Sequence, residues 1–293
     1  MAFELDLETP LRMDVPRLLH EQIAGAERAL QGTPDANAIH AARRHLKRAR
    51  AMLRLLDADM IGRAATADAA LRAAGRHLSE SRDATVLVAT IDALPGLRAR
   101  PATAKAMRSW QATLRATGGP VVEPDALAAA QNAVCQARQA ATGLGARGAH
   151  AVWAGFEASY RAGRRALRRA QAKPTARRLH TLRKALKHHV YQLRVLRPLW
   201  PAVLGAVHDE ADRAAELLGL HHDCEVLRER LADSGLSAAQ HARVDALATR
   251  QQGTLAAGAL ARCALLYAER GGRYARRIAA YADHPPTDSE HGP

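Results

Sequence analysis

The chain has few aromatic residues, few cysteines and no long apolar run. Aromatic residues make up only 3% of its 293 residues, and its three cysteines, Cys135, Cys224 and Cys263, form no Cys-x-x-Cys pair. An odd number of distant cysteines argues against a disulfide framework and against a zinc site. No apolar run approaches the roughly 20 residues that span a membrane, and the acidic N-terminus does not resemble a secretory signal. We therefore expect a cytoplasmic protein without a membrane partner.

Alternating runs of β-branched residues, which would indicate strands, are also absent. The sequence is instead rich in alanine, leucine and arginine, which favour helices. We predict an all-α fold. Helix-breaking residues place the helices near 12–31, 35–57, 63–93 with a candidate interruption near 81, 101–117, 124–142, 148–171, 175–197, 202–233 with a candidate break near 221, 237–257 and 259–282.

Two segments of the chain contain no acidic residue. Residues 36–56 include six Arg and Lys, and residues 158–208 include thirteen. The whole chain has 43 basic and 29 acidic side chains, so the remainder carries 24 basic and 29 acidic residues and is mildly acidic. Positive charge concentrated in this way is typical of a binding site for a polyanion.

The two basic segments follow one pattern at an offset of 140 residues. Between 40–56 and 180–196, seven of seventeen positions are identical. The same offset pairs further residues, namely Leu78, Asp83, Val86 and Leu87 with Leu218, Asp223, Val226 and Leu227. This period is too long for a solenoid, whose repeats span about 20–50 residues. A duplicated helical bundle is therefore predicted, with about four helices in each half, followed by a polar, disordered tail over 283–293.

One face of the first basic helix carries its cations as a stripe. At about 100° per residue, Arg43, Lys47, Arg50 and Arg54 share a narrow arc beside the apolar face, and His40 lies at the edge of this arc. Like charges at this spacing destabilise an isolated helix by a few tenths of a kcal/mol per pair. An anionic ligand would offset that cost, because Arg binds phosphate oxygens in a bidentate manner and Lys acts as a point charge.

The second basic helix repeats most of the stripe. Val190 stands at the position that corresponds to Arg50, and Tyr191 adds a hydroxyl group nearby. The candidate phosphate-binding residues of this helix are His180, Arg183, Lys187, Tyr191 and Arg194, with Arg44 and Lys184 as further candidates from the two helices. The alternative is that these cations form a solvated face or pair with acidic residues of other helices.

These residues resemble a known family. A His-x-x-Arg-[Arg/Lys]-x-x-Lys motif begins at His40 and again at His180, and a leucine-rich helix end is followed by Arg82-Asp83 or His222-Asp223 and then Val-Leu. Both patterns are similar to the CHAD domain, the conserved histidine α-helical domain, over about residues 12–282. His188 and His189 stand where the family more usually has arginine.

The resemblance implies two four-helix-bundle repeats related by a pseudo-twofold, which would occupy residues 1–145 and 146–282. It also implies a basic surface or pore that binds inorganic polyphosphate. Because some members of the family sit on polyhydroxyalkanoate granules, such a granule or its proteins is a further candidate partner and location. No cofactor is expected.

Two other functions fit parts of the sequence. A dense basic stripe also binds nucleic acid without sequence specificity, although the basic segments hold only Tyr160, Tyr191 and Trp200 for base stacking. A metal-dependent polyphosphate-processing enzyme would need carboxylates near the phosphates. The basic helices contain none, and His221 and Glu225, which could share a metal, have no counterparts in the first half. We therefore predict a non-catalytic protein without a metal site.

Overall fold

A computed structural model describes residues 3–78, 83–117 and 122–284. Within these ranges every regular element is helical, which confirms the predicted all-α fold. The α-helices are α1 (Leu11–Ala29), α2 (Ala36–Leu56), α3 (Gly62–His77), α4 (Asp83–Asp92), α5 (Pro101–Thr117), α6 (Pro124–Ala141), α7 (Ala149–Ala172), α8 (Ala176–Leu196), α9 (Pro201–Arg230), α10 (Ala238–Leu266) and α11 (Gly271–Asp283).

Two predicted helix breaks are wrong. Helix α9 continues through residue 221, because His221 and Cys224 extend the buried face that begins at Leu204 and includes Leu218. Helix α10 continues through Gly258 and ends at Leu266. A glycine inside a helix costs only about 1 kcal/mol, and the long packing of α10 against α9 outweighs that cost. The candidate interruption near residue 81 and all but the first two residues of the predicted tail lie outside the described residues.

The main hydrophobic core draws on helices from both halves of the chain. Helix α2 packs against α1 and α3, and also against α7 and α8. Its predicted apolar face is confirmed, because Leu46 and Leu53 are buried in this core. Helices α2 and α7 approach closely at Gly155, where an added Cβ would lie 2.6 Å from the Leu55 carbonyl oxygen. Small residues therefore permit the tight contact between the two halves.

A second, smaller core lies under α4 and α5. Apolar side chains such as Leu87 and Trp110 from these helices pack with Leu227 of α9 and Val244 of α10. Two helices of the first half thus share a core with two helices of the second half. Helices α2 and α8 keep the predicted offset of 140 residues at both ends, whereas the boundary near residue 145 and the pseudo-twofold stay predictions.

The scarce aromatic residues are concentrated between α7, α8 and α11. The ring of Tyr160 stacks on that of Tyr274 with centroids 4.1 Å apart, and Phe156 also stacks on Tyr274. His189 lies among these rings, where its Nε2 is 3.2 Å from the Tyr274 hydroxyl oxygen. Burial lowers the pKa of His189 to about 3. His189 is therefore a neutral residue of the hydrophobic core.

Candidate anion-binding site

A cavity of about 610 Å³ opens between α2, α3 and α8. Helices α3 and α8 each pack against α2, so α2 forms the floor of the cavity and the other two helices form its walls. The first turn of α2 is fixed by Asp35, whose side chain accepts a hydrogen bond of 2.7 Å from the Ala38 N–H. Because the apolar face of α2 is buried, its neighbouring basic stripe lines the cavity with Arg43, Lys47, Arg50 and Arg54.

The two walls of the cavity add further positive charge. Arg72 and Arg76 line it from α3, and Lys184 lines it from α8 together with His180 and His188. None of the described residues that line the cavity is acidic. The cavity is therefore surrounded by cations from three helices and from both halves of the chain.

Asp68 on α3 holds three of these arginines in place. Its carboxylate accepts hydrogen bonds from Arg50 Nε at 2.8 Å and from the Arg54 guanidinium at 3.0 Å, and Arg72 Nε lies 3.3 Å away. Burial alone would raise the pKa of this carboxyl, but the bonds and charges of Arg50 and Arg54 lower the pKa to about 2. Asp68 is thus ionised, and its single negative charge leaves the arginine cluster with an excess of positive charge.

Two arginines of α2 also bond to backbone carbonyl groups. Arg43 donates to the carbonyl oxygen of Leu78 at 2.5 Å and to that of Gly75 at 3.3 Å, which places its charge at the negative C-terminal end of α3. Arg54 donates to the carbonyl oxygen of Arg50 at 2.8 Å. These bonds fix the direction of the guanidinium groups, as a preorganised binding site requires.

The cavity contains two histidines with lowered pKa values. Burial, together with the charges of Arg54 and Arg50, lowers the pKa of His188 well below 6.5. Burial and the adjacent His222 ring, whose centroid is 5.0 Å away, lower the pKa of His180 to about 4. The Nδ1 atoms of both rings are buried, and neither forms a hydrogen bond to a described residue. Both rings are neutral near pH 7 while the cavity holds no anion.

The structure brings together only part of the predicted site. Six of the predicted residues line the cavity, namely Arg43, Lys47, Arg50, Arg54, His180 and Lys184. The other six, His40, Arg44, Arg183, Lys187, Tyr191 and Arg194, do not. The second predicted stripe therefore contributes only His180 to this cavity, and the further candidate Lys184 lines it from the same helix.

Two cations of the second stripe are paired with carboxylates. Lys187 Nζ lies 2.9 Å from a carboxylate oxygen of Asp212 on α9, and Arg194 Nε lies 3.3 Å from Glu4. The N-terminal segment covers this region, since the Leu5 N–H bonds to the Val195 carbonyl oxygen at 2.9 Å. Acidic residues from elsewhere in the chain thus offset part of the charge of the second stripe.

Sequence reasoning missed Arg72 and Arg76 on the α3 wall. The 140-residue offset pairs them with Asp212 and Glu216, so the comparison of the two halves did not indicate them. Their spacing of four residues, on the same helix as the buried Asp68, was the available signal. His188 was also absent from the predicted site, although the offset pairs it with Arg48.

The described residues hold no group of three or more His, Cys, Asp or Glu side chains arranged for a metal ion. The Glu225 carboxylate, one half of the pair considered from sequence, accepts a hydrogen bond of 2.6 Å from Gln252 Nε2. The three cysteines are free thiols. In the described part of the chain, each helix is too short or too polar to cross a membrane.

The fold and the cavity define an all-helical protein with a cation-lined groove built from two related basic helices. The CHAD domain family model matches residues 17–232, which is most of the chain, and the chain therefore belongs to the CHAD domain family. The crystal structure of the CHAD domain from the plant Ricinus communis is similar, with a TM-score of 0.50 and 20% sequence identity over 98% of this chain and 97% of that chain. At this identity the likeness shows a shared fold. No curated protein matches the chain significantly.

Proposed function

We propose that the protein is a non-catalytic binder of inorganic polyphosphate, or of a chemically similar linear polyanion, in the cavity between α2, α3 and α8. The observation that carries this proposal is the clustering of seven basic side chains around one cavity of about 610 Å³, namely Arg43, Lys47, Arg50, Arg54, Arg72, Arg76 and Lys184. Membership of the CHAD domain family is consistent with it.

The chemistry of the lining favours phosphate over a carboxylate ligand. Guanidinium groups bind two phosphate oxygens at once, and lysine tolerates variable geometry as a point charge. A chain of linked phosphates presents a negative charge at every unit, so one molecule can meet several cations of the α2 stripe. The arrangement held by Asp68 also reduces the conformational entropy lost when the anion binds.

Nucleic acid is a weaker candidate because the cavity lacks a stacking surface. Proteins that bind single strands place aromatic side chains beside a basic groove, whereas no described aromatic residue other than the two histidines lines this cavity. Of the three aromatic residues in the basic segments, Tyr160 is fully buried in the core. Binding of nucleic acid would therefore be electrostatic and independent of sequence.

A polyphosphate-processing enzyme is the second alternative. Phosphoryl transfer relies on metal-bound phosphates or on a base that positions the nucleophile. The carboxylate nearest to the arginine cluster, Asp68, is already engaged by Arg50, Arg54 and Arg72. The absence of catalysis is part of this proposal. Attachment to a storage granule is implied by the family resemblance alone.

A competition titration tests the proposed ligand. Long-chain polyphosphate and duplex DNA, at equal phosphate concentration and equal salt, compete for the protein against a labelled polyphosphate. We expect polyphosphate to displace the label at a concentration at least about tenfold lower, and its affinity to fall steeply with salt through counterion release. Stronger displacement by DNA would overturn the choice of ligand. Release of phosphate from the bound chain, with or without Mg²⁺, would overturn the non-catalytic assignment.

A further inference from the structure

A second, smaller basic cavity lies where α7 turns into α8. It has a volume of about 390 Å³ and is lined by Ala166, Arg169, Arg177, Arg178 and Thr181. Three of these five residues are arginines, and none is acidic. The second cavity therefore has the same charge character as the cavity between α2, α3 and α8.

The two cavities meet at Thr181, which lines both of them. On α7, Ala162 lines the first cavity and Ala166 lines the second, and these residues are about one helical turn apart. On α8, the lining positions run from Arg177 to His188, a distance of about 16 Å at a rise of about 1.5 Å per residue. The two cavities therefore adjoin at the α7–α8 seam, where Ala162, Ala166 and Thr181 have small side chains.

The arginines of the second cavity have different structural roles. Arg178 donates to the carbonyl oxygen of Arg169 at 2.9 Å, so its guanidinium group closes the C-terminal end of α7. The side chains of Arg169 and Arg177 are exposed, and neither forms an ion pair with a described residue. These two cations are placed to contact an anion, whereas Arg178 supports the turn.

The arginines of the second cavity have no charged counterparts at the matching sequence positions of the first half. The 140-residue offset pairs Arg169, Arg177 and Arg178 with Ala29, Asn37 and Ala38, none of which is charged. These extra cations are therefore specific to the α7–α8 turn of the second half. An anion that leaves the first cavity toward the α7–α8 turn meets further positive charge.

We propose that the second cavity is an extension subsite, in which a polyphosphate already bound in the first cavity places its further phosphate units on Arg169 and Arg177. This inference rests on the proposed function. Its consequence is a dependence of affinity on chain length, because only an anion long enough to reach both cavities gains from the contacts in the second one. Each additional phosphate contact releases counterions and strengthens binding.

The double variant Arg169→Gln with Arg177→Gln tests the extension subsite. The matched control is Arg165→Gln with Arg168→Gln, which removes the same charge from exposed positions of α7 that line neither cavity. Affinities of the full chain for long-chain polyphosphate and for tripolyphosphate are measured by calorimetry at one salt concentration. We expect the first variant to bind long chains about tenfold more weakly and tripolyphosphate within about twofold of the unaltered protein, while the control changes both affinities equally and by less.

Three results are decisive. An unchanged affinity for long chains, or an equal loss for both probes, overturns the extension subsite. A loss in the control as large as that in the variant overturns it as well, because the effect would then be one of net charge. The proposed function has a separate test. It is overturned if the double variant Lys47→Gln with Lys184→Gln, which alters the first cavity, binds long-chain polyphosphate and tripolyphosphate as tightly as the unaltered protein.

Discussion

Asp68 and Arg50 form the central ion pair of the candidate site, with Arg50 Nε donating to the Asp68 carboxylate at 2.8 Å. Asp68 is only 5% exposed, yet it lies beside a cavity whose lining contains seven Arg and Lys side chains and no acidic residue among the described ones. Because the same carboxylate also contacts Arg54 and Arg72, it fixes the directions of three guanidinium groups with one negative charge. The site thus combines fixed geometry with a large excess of positive charge.

Replacement of Asp68 by Asn is expected to destabilise the protein by about 2 kcal/mol at pH 7. The folded state lowers the pKa of Asp68 from 3.8 to about 2, and a shift of this size corresponds to about 2 kcal/mol. The stabilisation is present above the unfolded-state pKa of 3.8 and is lost as the pH falls through about 2. Urea titrations at several pH values measure the free energy of unfolding of both proteins. Below pH 4 the stability of the unaltered protein should fall more steeply than that of Asp68→Asn.

The control for this prediction is Asp212→Asn. Asp212 pairs with Lys187 at the surface, where its side chain is 52% exposed, and such pairs contribute about 0–1 kcal/mol. Equal destabilisation by the two substitutions would contradict the role assigned to Asp68.

Polyphosphate affinity is expected to increase as the pH falls from 8 to 5. The pKa of His188 is lowered by burial and by the charges of Arg54, Arg50 and Lys184, against which Asp68 acts in the opposite direction. A bound anion would counter the positive charges and raise this pKa, so the complex takes up a proton that the free protein does not hold at neutral pH. The proton then strengthens a hydrogen bond from the imidazolium to phosphate.

His188→Gln should flatten this pH dependence, and His241→Gln, which alters a histidine outside the cavity, should leave it unchanged. Long chains are used because their few terminal groups contribute little to the titration. The same slope in unaltered protein and His188→Gln would show that His188 takes no part in proton uptake.

Gly155→Ala is expected to destabilise the fold by about 1–3 kcal/mol through overpacking. An added Cβ would collide with the backbone of α2, including the carbonyl oxygens of Arg54 and Leu55, and backbone atoms cannot move aside as a flexible side chain can. The matched control is Gly253→Ala in α10, where a Cβ meets no atom within 4 Å. The control should be stabilised by up to about 1 kcal/mol from helix propensity. Thermal unfolding of both variants is the measurement, and an unchanged Gly155→Ala protein would contradict the close α2–α7 contact.

Much of the fold could be predicted from local patterns. The basic helices predicted at 35–57 and 175–197 occur as α2 and α8 within one residue at each end, because caps at Asp35 and Thr175 and the apolar periodicity act within the helix itself. The break expected at residue 258 was wrong because packing of α10 on α9 decides the course of that helix. Local signals could not show this tertiary contact.

The candidate site could be predicted only in part for the same reason. Sequence spacing placed the α2 stripe beside the apolar face of its helix, and the structure has four of its cations in the cavity next to that face. The walls of the cavity depend on which helices pack beside α2. This packing places Arg72 and Arg76 in the lining and leaves Lys187 outside it. The pairing of Arg194 with Glu4 joins residues 190 positions apart, which no helical periodicity indicates.

The central claim is that anions bind in the cavity between α2, α3 and α8, and a pair of matched double variants tests it. Lys47→Gln with Lys184→Gln removes two charges from the cavity lining, and Arg44→Gln with Lys187→Gln removes two charges from positions outside it. The two variants alter equivalent positions of the two halves. At the offset of 140 residues, Lys47 corresponds to Lys187 and Arg44 corresponds to Lys184. The two variants therefore have equal net charge and differ in location.

Affinity for long-chain polyphosphate, measured against salt concentration, separates the two variants. We expect the cavity variant to bind at least about tenfold more weakly, with the slope of log affinity against log salt reduced by about 2, and the outer variant to show a clearly smaller change in both. Equal losses in the two variants, or a larger loss in the outer one, would contradict the assignment of the anion to this cavity.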